Sequence, residues 1–106
     1  KDAQDAFLML KELSGHTHQV MTSMCLMYQN KNITFTSITD VEFYELNDQD
    51  IHNYIETGEA YDKAGAYGIQ DLGALFIKKI DGDYYTVMGL PVALLKRKLE
   101  AFIQSI

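Results

Sequence analysis

Ile33 to Leu46 reads ITFTSITDVEFYEL. Ile33, Phe35, Val41 and Phe43 fall on one face of an extended chain, and Thr34, Thr36, Asp40 and Glu42 on the other. A period of two with one apolar and one polar face is the pattern of a half-buried antiparallel strand. Gln29-Asn30-Lys31-Asn32, just before it, is a turn signal. Thr17 to Tyr28, rich in β-branched residues, methionine and aromatics, reads as a second strand. The two predict a long hairpin. The first strand is apolar on both faces, which places it deeper in the sheet.

Working outward, Asp2 is placed to cap a first helix. Ala6, Phe7, Leu10 and Leu13 follow at helical spacing and Gly15 is its stop. Asn47 caps a second helix. Asp48 and Asp50 fall in its first turn, where carboxylates favour the helix dipole. Ile51, Tyr54 and Ile55 form its buried stripe, and Gly58 ends it. Leu75 to Ile80 reads as a strand, Asp81-Gly82 as a two-residue hairpin turn, and Tyr84 to Met88 as the returning strand. Pro91 suits the first turn of a last helix. Leu94, Leu95, Leu99, Phe102 and Ile103 form its apolar face. Lys96, Arg97 and Lys98 form its solvated side, with a phosphate patch as the alternative. The order α, β-hairpin, α, loop, β-hairpin, α predicts a mixed α/β fold. Helices pack on a mixed, largely antiparallel sheet, in a single domain over residues 1–106.

The formal charge is −6, which argues against a general attraction to nucleic acid or anionic membrane. Cys25 is the one cysteine. Set in the apolar run Met24 to Met27, it reads as a small buried hydrophobe. With no disulfide, no signal peptide and no apolar stretch long enough to span a bilayer, a reducing, cytoplasmic setting is expected.

The chemistry-bearing candidates are few. His16 and His18 would share a strand face, a spacing compatible with metal ligation, but neither a cysteine nor a third histidine accompanies them. His52 belongs on the exposed side of its helix. Gly65 and Gly68 fit neither the P-loop nor the GxGxxG spacing. No complete catalytic set is present. The segment DKAGAYGIQ, Asp62 to Gln70, is the exception, and two readings of it stay open. It is a tight connection, with Asp62 and Lys63 as a surface ion pair and Gln70 satisfied by backbone. Or it is a ligand wall. In that case Asp62 orients a neighbour or helps bind a cation, and Lys63 meets a phosphate. The Ala and Gly residues bare the backbone N–H groups, and the Gln70 amide, both donor and acceptor, reads a base edge.

Asp62 to Gln70 resembles the signature of the Maf family, the Maf/septum-formation-inhibitor proteins, which are nucleoside triphosphate pyrophosphatases. Leu13-Ser14-Gly15 with His18 is similar to the family's LSGRxH segment. Tyr54-Ile55 with Thr57-Gly58-Glu59 resembles the stretch before the signature. Gly73-Ala74-Leu75-Phe76, Ile80 with Gly82, Tyr84, and Gly89-Leu90-Pro91 follow in the family's order. The resemblance covers essentially the whole chain, and the ending Ala-Tyr-Gly-Ile-Gln resembles the branch acting on dTTP and UTP. His16 departs from the pattern, standing where the family usually has arginine.

The resemblance implies the C-terminal half of a two-lobed Maf/ITPase-like fold. Lys1 then follows the place of the family's Gly-Lys-Pro segment, and the proposed general base lies in the N-terminal half. It implies a house-cleaning hydrolase of nucleotide metabolism that converts a pyrimidine nucleoside triphosphate to the monophosphate and pyrophosphate. A divalent cation, magnesium or manganese, assists, and the protein forms a homo-oligomer, a dimer. Gln70 becomes the specificity residue. Asp62, Lys63, Gly65 and Gly68 become substrate or phosphate contacts. No catalytic residue is assigned within these 106 residues, and the metal ligands are unknown. The isolated chain is then expected to be inactive, the alternative to an enzyme being a fragment that binds a nucleotide or a protein without turnover.

Overall fold

The alternation in Ile33–Phe43 is realised as a strand, and it sits at the centre of the sheet. The computed structural model describes residues 2–62 and 67–106. Its elements are α1 (Ala3–Leu13), β1 (Thr17–Tyr28), β2 (Lys31–Phe43), α2 (Asp48–Glu56), two short 3₁₀ helices (Glu59–Asp62 and Leu72–Phe76), β3 (Ile77–Asp81), α3 (Tyr84–Met88) and α4 (Val92–Gln104). The sheet order is β1-β2-β3. Gln29 and Asn30 join β1 to β2, with Gln29 at φ 52°, and so short a link permits only an antiparallel pair. β3 lies antiparallel on β2, pairing Asp40 with Asp81 and Val41 with Ile80, and the register shifts between Glu42 and Phe43. This is the mixed α/β fold, with helices and an antiparallel sheet, that the sequence predicts. Among the described residues no helix is long and apolar enough to cross a membrane.

The contacts group the chain into two compact units, Lys1–His18 with Asp40–Asp81, and Gln19–Thr39 with Gly82–Ile106. In the first, Ala6 and Leu10 of α1, Ile51, Tyr54 and Ile55 of α2, Val41 and Phe43 of β2, and Phe76 are buried. Each Val, Leu, Ile or Phe side chain among them contributes about 1.5–3 kcal/mol by leaving water. The helix ends follow the expected caps. Asp2 Oδ1 accepts from Asp5 N at 2.9 Å, and Asn47 Oδ1 accepts from Asp50 N at 2.8 Å. Gly15 (φ 71°) and Gly58 (φ 82°) take the left-handed conformation past the C-termini. Lys11 Nζ lies 2.5 Å from Asp48 Oδ1, and its hydrogen bond holds the Asp48 carboxyl below the usual carboxylate range.

The second unit is organised by hydroxyl groups on the buried face of β2. Thr39 is fully buried. Its Oγ1 accepts from Asp83 N at 2.9 Å and donates to Asp83 O at 3.2 Å. Ser37 Oγ and Thr86 Oγ1 are 2.6 Å apart, and Thr22 Oγ1 donates to Thr86 O at 2.9 Å. These bonds tie α3 to the strands and satisfy polar groups that would otherwise be stranded. On α4, Phe102 is buried, Lys98 Nζ lies 5.9 Å from the centre of the Phe35 ring, and the Lys31 ammonium donates to the Ser105 carbonyl near the helix end.

Several expectations are corrected. Tyr84–Met88 is a helix rather than a returning strand, and Asp81-Gly82 is therefore not a hairpin turn. The caps override the β-propensity of Tyr-Tyr-Thr-Val: Asp83 Oδ1 accepts from Tyr85 N at 2.8 Å, and Gly89 closes the turn at φ 103°. The strand expected over Leu75–Ile80 begins at Ile77, because Leu72–Phe76 coils as a 3₁₀ helix. β1 lies at the end of the sheet rather than deeper in it, since β3 takes the other side of β2. Its outward residues Met21, Met27 and Cys25 are accordingly exposed, so Cys25 is not a buried hydrophobe.

Gly82 is set at φ 137°, and a Cβ there would lie 2.6 Å from Thr39 Oγ1. Gly82→Ala is expected to destabilise the fold by about 2 kcal/mol or more through strain and loss of the Thr39–Asp83 bonds. Urea unfolding of the variant measures this, and an unchanged midpoint would contradict it.

Candidate functional site

The signature segment is held from both sides. Upstream, Gly58 ends α2 and Ala60 is buried in the 3₁₀ turn that follows. Glu59 then reaches across the loop, and its Oε2 accepts from Leu72 N at 3.2 Å, closing a thirteen-residue excursion at its base. Downstream, Gly68 O accepts from Asp71 N at 3.3 Å, and Asp71 O accepts from Ala74 N at 3.0 Å. Gly73 is buried against this turn. A Cβ there would lie 2.8 Å from Gly68 O and 3.2 Å from Tyr67 Cβ. The glycine is thus required for close approach of two backbone segments.

Tyr67 and Ile69 anchor the turn to the core. Ile69 is buried. Tyr67 Oη lies 2.7 Å from His18 Nε2. The Tyr67 ring meets Phe43 edge-on at 4.9 Å between centroids, and His18 meets Phe43 at 5.3 Å and 79°. Phe76 joins Phe43 at 6.2 Å and Tyr54 at 5.1 Å. The edge-to-face pairs among these, Phe43–Tyr67 and Tyr54–Phe76, add about 0.5–1.5 kcal/mol each beyond area burial. Burial pushes the Tyr67 phenol up to about 12 and lowers the His18 imidazole. In both cases the low-dielectric surroundings disfavour the charged form.

Against this frame the expected residues divide. Gln70 is exposed directly after buried Ile69, and Gly68 is half-buried within the turn. Lys63, Gly65 and the Asp62 side chain lie outside the described residues. His16 precedes β1, and its Nδ1 is 3.0 Å from Glu12 O. His52 is exposed, as expected, and stacks on Phe7 at 4.8 Å. Among the described residues no three His, Cys, Asp or Glu side chains converge as metal ligands. Sequence reasoning passed over Glu59 and Tyr67 as working residues. Each lies at a matched family position, but only the fold shows that Glu59 closes the loop and Tyr67 pins it.

A pocket of about 420 Å³ lies close by in sequence, lined among others by Tyr44, Asp50, Asn53, Leu72, Leu75 and Phe76. Among the described residues, Glu45 and Asp50 are the charged groups of its lining, and two carboxylates attract no polyphosphate.

Residues 1–102 match the family model described as Maf-like protein. The chain belongs to the Maf family. It is 53% identical over 102 residues to a dTTP/UTP pyrophosphatase of Bacillus pumilus, covering 96% of this chain and 54% of that protein. It is 50% identical over 104 residues to a dTTP/UTP pyrophosphatase of Clostridium perfringens, covering 96% and 54%. A protein of the same name from Carboxydothermus hydrogenoformans is 50% identical over 101 residues, covering 93% and 54%. The chain thus spans about half the length of the curated relatives it matches. In this Maf chain the signature resemblance lies within the residues that the family model matches.

Two tests follow from the geometry. Gly73→Ala is expected to lower stability by about 1–3 kcal/mol through crowding of Gly68 and Tyr67. Chemical denaturation reads this, and a stability within error of the parent would show that the turn can give way. The second test is pH. The unfolded chain gains a proton on His18 near pH ~6.5 and loses one from Tyr67 near pH ~10. The folded imidazole titrates below its unfolded value, so stability is full above about pH 6.5 and falls as pH drops toward the folded value. The folded phenol titrates at about 12, so its contribution is full below about pH 10 and is lost between about 10 and 12. Tyr67→Phe should flatten that alkaline loss relative to the parent. Superimposable profiles above pH 10 would refute the burial argument.

Proposed function

We propose that this chain, within a protein of its relatives' full length, contributes base recognition to the hydrolysis of dTTP and UTP. The products are the monophosphate and pyrophosphate. The observation that carries the reading is the match of nearly the whole chain, at about half identity, to proteins named dTTP/UTP pyrophosphatase. The geometry supports a specific part for it. An exposed amide follows a buried isoleucine on a turn tied down at Glu59, Tyr67 and Gly73. A ligand binding there meets a side chain whose backbone is already placed, which lowers the entropic penalty of recognition.

Gln70 carries one donor and one acceptor, the complement of the O4 and N3–H edge of thymine and uracil. A carboxylate at this position would offer O4 no donor. The reaction itself is attack of water on the α-phosphorus with departure of pyrophosphate, a carboxylate taking the proton. The attacking water, the phosphates and the general base are not assigned to described side chains. The magnesium or manganese ion implied by the family finds no ligand set among the described residues, and no step is routed through it. A cytoplasmic location and a homodimer belong to the same proposal. Cell fractionation and light scattering of the full-length protein test them.

Purified full-length protein should release pyrophosphate from dTTP and UTP when magnesium or manganese is added. Gln70→Glu should reduce kcat/KM for both by roughly tenfold or more, since a missing hydrogen bond and a misplaced charge act together. Unchanged base preference in Gln70→Glu would remove Gln70 as the reader. A parent without turnover of either nucleotide would remove the activity.

A further inference from the structure

His18 is used by no part of the proposed reaction, yet it occupies a telling place. It is the second residue of β1. Its Nε2 lies 2.7 Å from Tyr67 Oη, and its Nδ1 is buried with no hydrogen-bond partner among the described residues. A buried ring nitrogen left unsatisfied is destabilising, and a histidine kept only for packing would be better replaced by an apolar side chain. Among the described residues, the hydrogen bond the ring makes is directed at the signature turn. From Tyr67 the chain reaches Gln70 through Gly68 and Ile69 alone. Gly68 is closed onto Asp71 at 3.3 Å and packed against Gly73, and Ile69 is buried. A turn this short passes on any displacement of Tyr67.

We propose that His18 is a positioning residue for Gln70. By hydrogen bonding Tyr67 and pressing its ring edge-on to Phe43, it sets the angle at which the turn presents the Gln70 amide. The inference rests on the reading of Gln70 as the base-recognising residue. His18 touches neither nucleotide nor reacting atoms. Its effect is carried by the phenol, so removing either partner should do the same damage, and removing both should do little more. Glu59, Ile69 and Gly73 hold the turn in place independently, so the fold should survive the loss.

The test uses the full-length protein with His18→Leu, His18→Gln and Tyr67→Phe, together with the double variant His18→Leu/Tyr67→Phe. Steady-state kinetics with dTTP and UTP should show KM raised roughly five- to tenfold in His18→Leu and Tyr67→Phe, with kcat within about twofold. That is the size expected when one neutral hydrogen bond that orders the binding surface is lost. The double variant should be no worse than about twofold beyond either single change. Glutamine restores a polar group toward Tyr67, so His18→Gln should bring KM most of the way back to the parent value. Amide hydrogen exchange on nucleotide-free protein supplies a readout independent of turnover. Residues 68–72 should exchange faster in the two single variants, with α1 and β2 unchanged.

Wild-type KM and wild-type exchange in both single variants would overturn the proposal. So would exchange loosened throughout α1 and β2, which marks His18 as a core residue and nothing more. Additive losses in the double variant would also overturn it. If the parent hydrolyses neither nucleotide while the local exchange change is seen, the pyrophosphatase reading fails and the His18 hold on the turn stands.

Discussion

The Phe43 ring sits against His18, Tyr67 and Phe76, and the first unit depends on that contact. Phe43 is the last residue of β2, just past the register shift with β3, where the strand bends. Its own N–H donates to His16 O at 3.0 Å, and the next residue, Tyr44, donates to Phe76 O at 2.9 Å. One residue therefore joins the start of β1, the end of β2, the 3₁₀ turn before β3 and the signature turn. Truncating a ring at such a position typically removes about 3–5 kcal/mol, a large share of a small domain's stability. Placing the turn and stabilising the core are thus one act of packing.

The second unit solves a different problem. Its strands bring hydroxyls, rather than rings, to the inner face at Ser37 and Thr39. Buried hydroxyls are tolerable only when paired, and the pairing is supplied by the backbone and side chain of a five-residue helix. Such a helix is far too short to form alone. It exists because Asp83 and Thr86 satisfy Thr39, Ser37 and Thr22, and because Gly82 lets the chain approach Thr39 closely enough to do so.

These two arrangements explain what could be read from the sequence. Apolar periodicity is a direct record of burial, so β2, α1 and α2 were legible, and their caps at Asp2 and Asn47 fell where the side-chain chemistry requires. The segment Tyr84–Met88 was misread because its residues favour strands. The reason it coils, a hydroxyl forty-four positions upstream, leaves no mark in local pattern. Strand order was equally hidden. The apolar content of β1 suggested depth, yet order depends on where β3 pairs, and Met21, Cys25 and Met27 face outward. At the site, the motif around Gln70 was visible. Glu59 and Tyr67 were not singled out, since a loop-closing carboxylate and an anchoring phenol look like any other Glu and Tyr until their partners are known.

The contrast between neighbours Ile69 and Gln70 sharpens what the signature's small residues do. A loop of glycine and alanine has many conformations to lose, and an amide carried on such a loop would be ordered only at the expense of affinity. Here the described end of the loop, Tyr67 to Gln70, is ordered by packing within the protein. Ile69 is buried one residue before the amide, Tyr67 is locked between His18 and Phe43, and Gly73 admits the backbone of Gly68. Gln70 itself is exposed. Bare backbone at Gly68 and Gly73 is therefore part of the rigidity of this turn rather than a sign of looseness, because a Cβ at Gly73 would push Gly68 and Tyr67 away from the contacts that hold them.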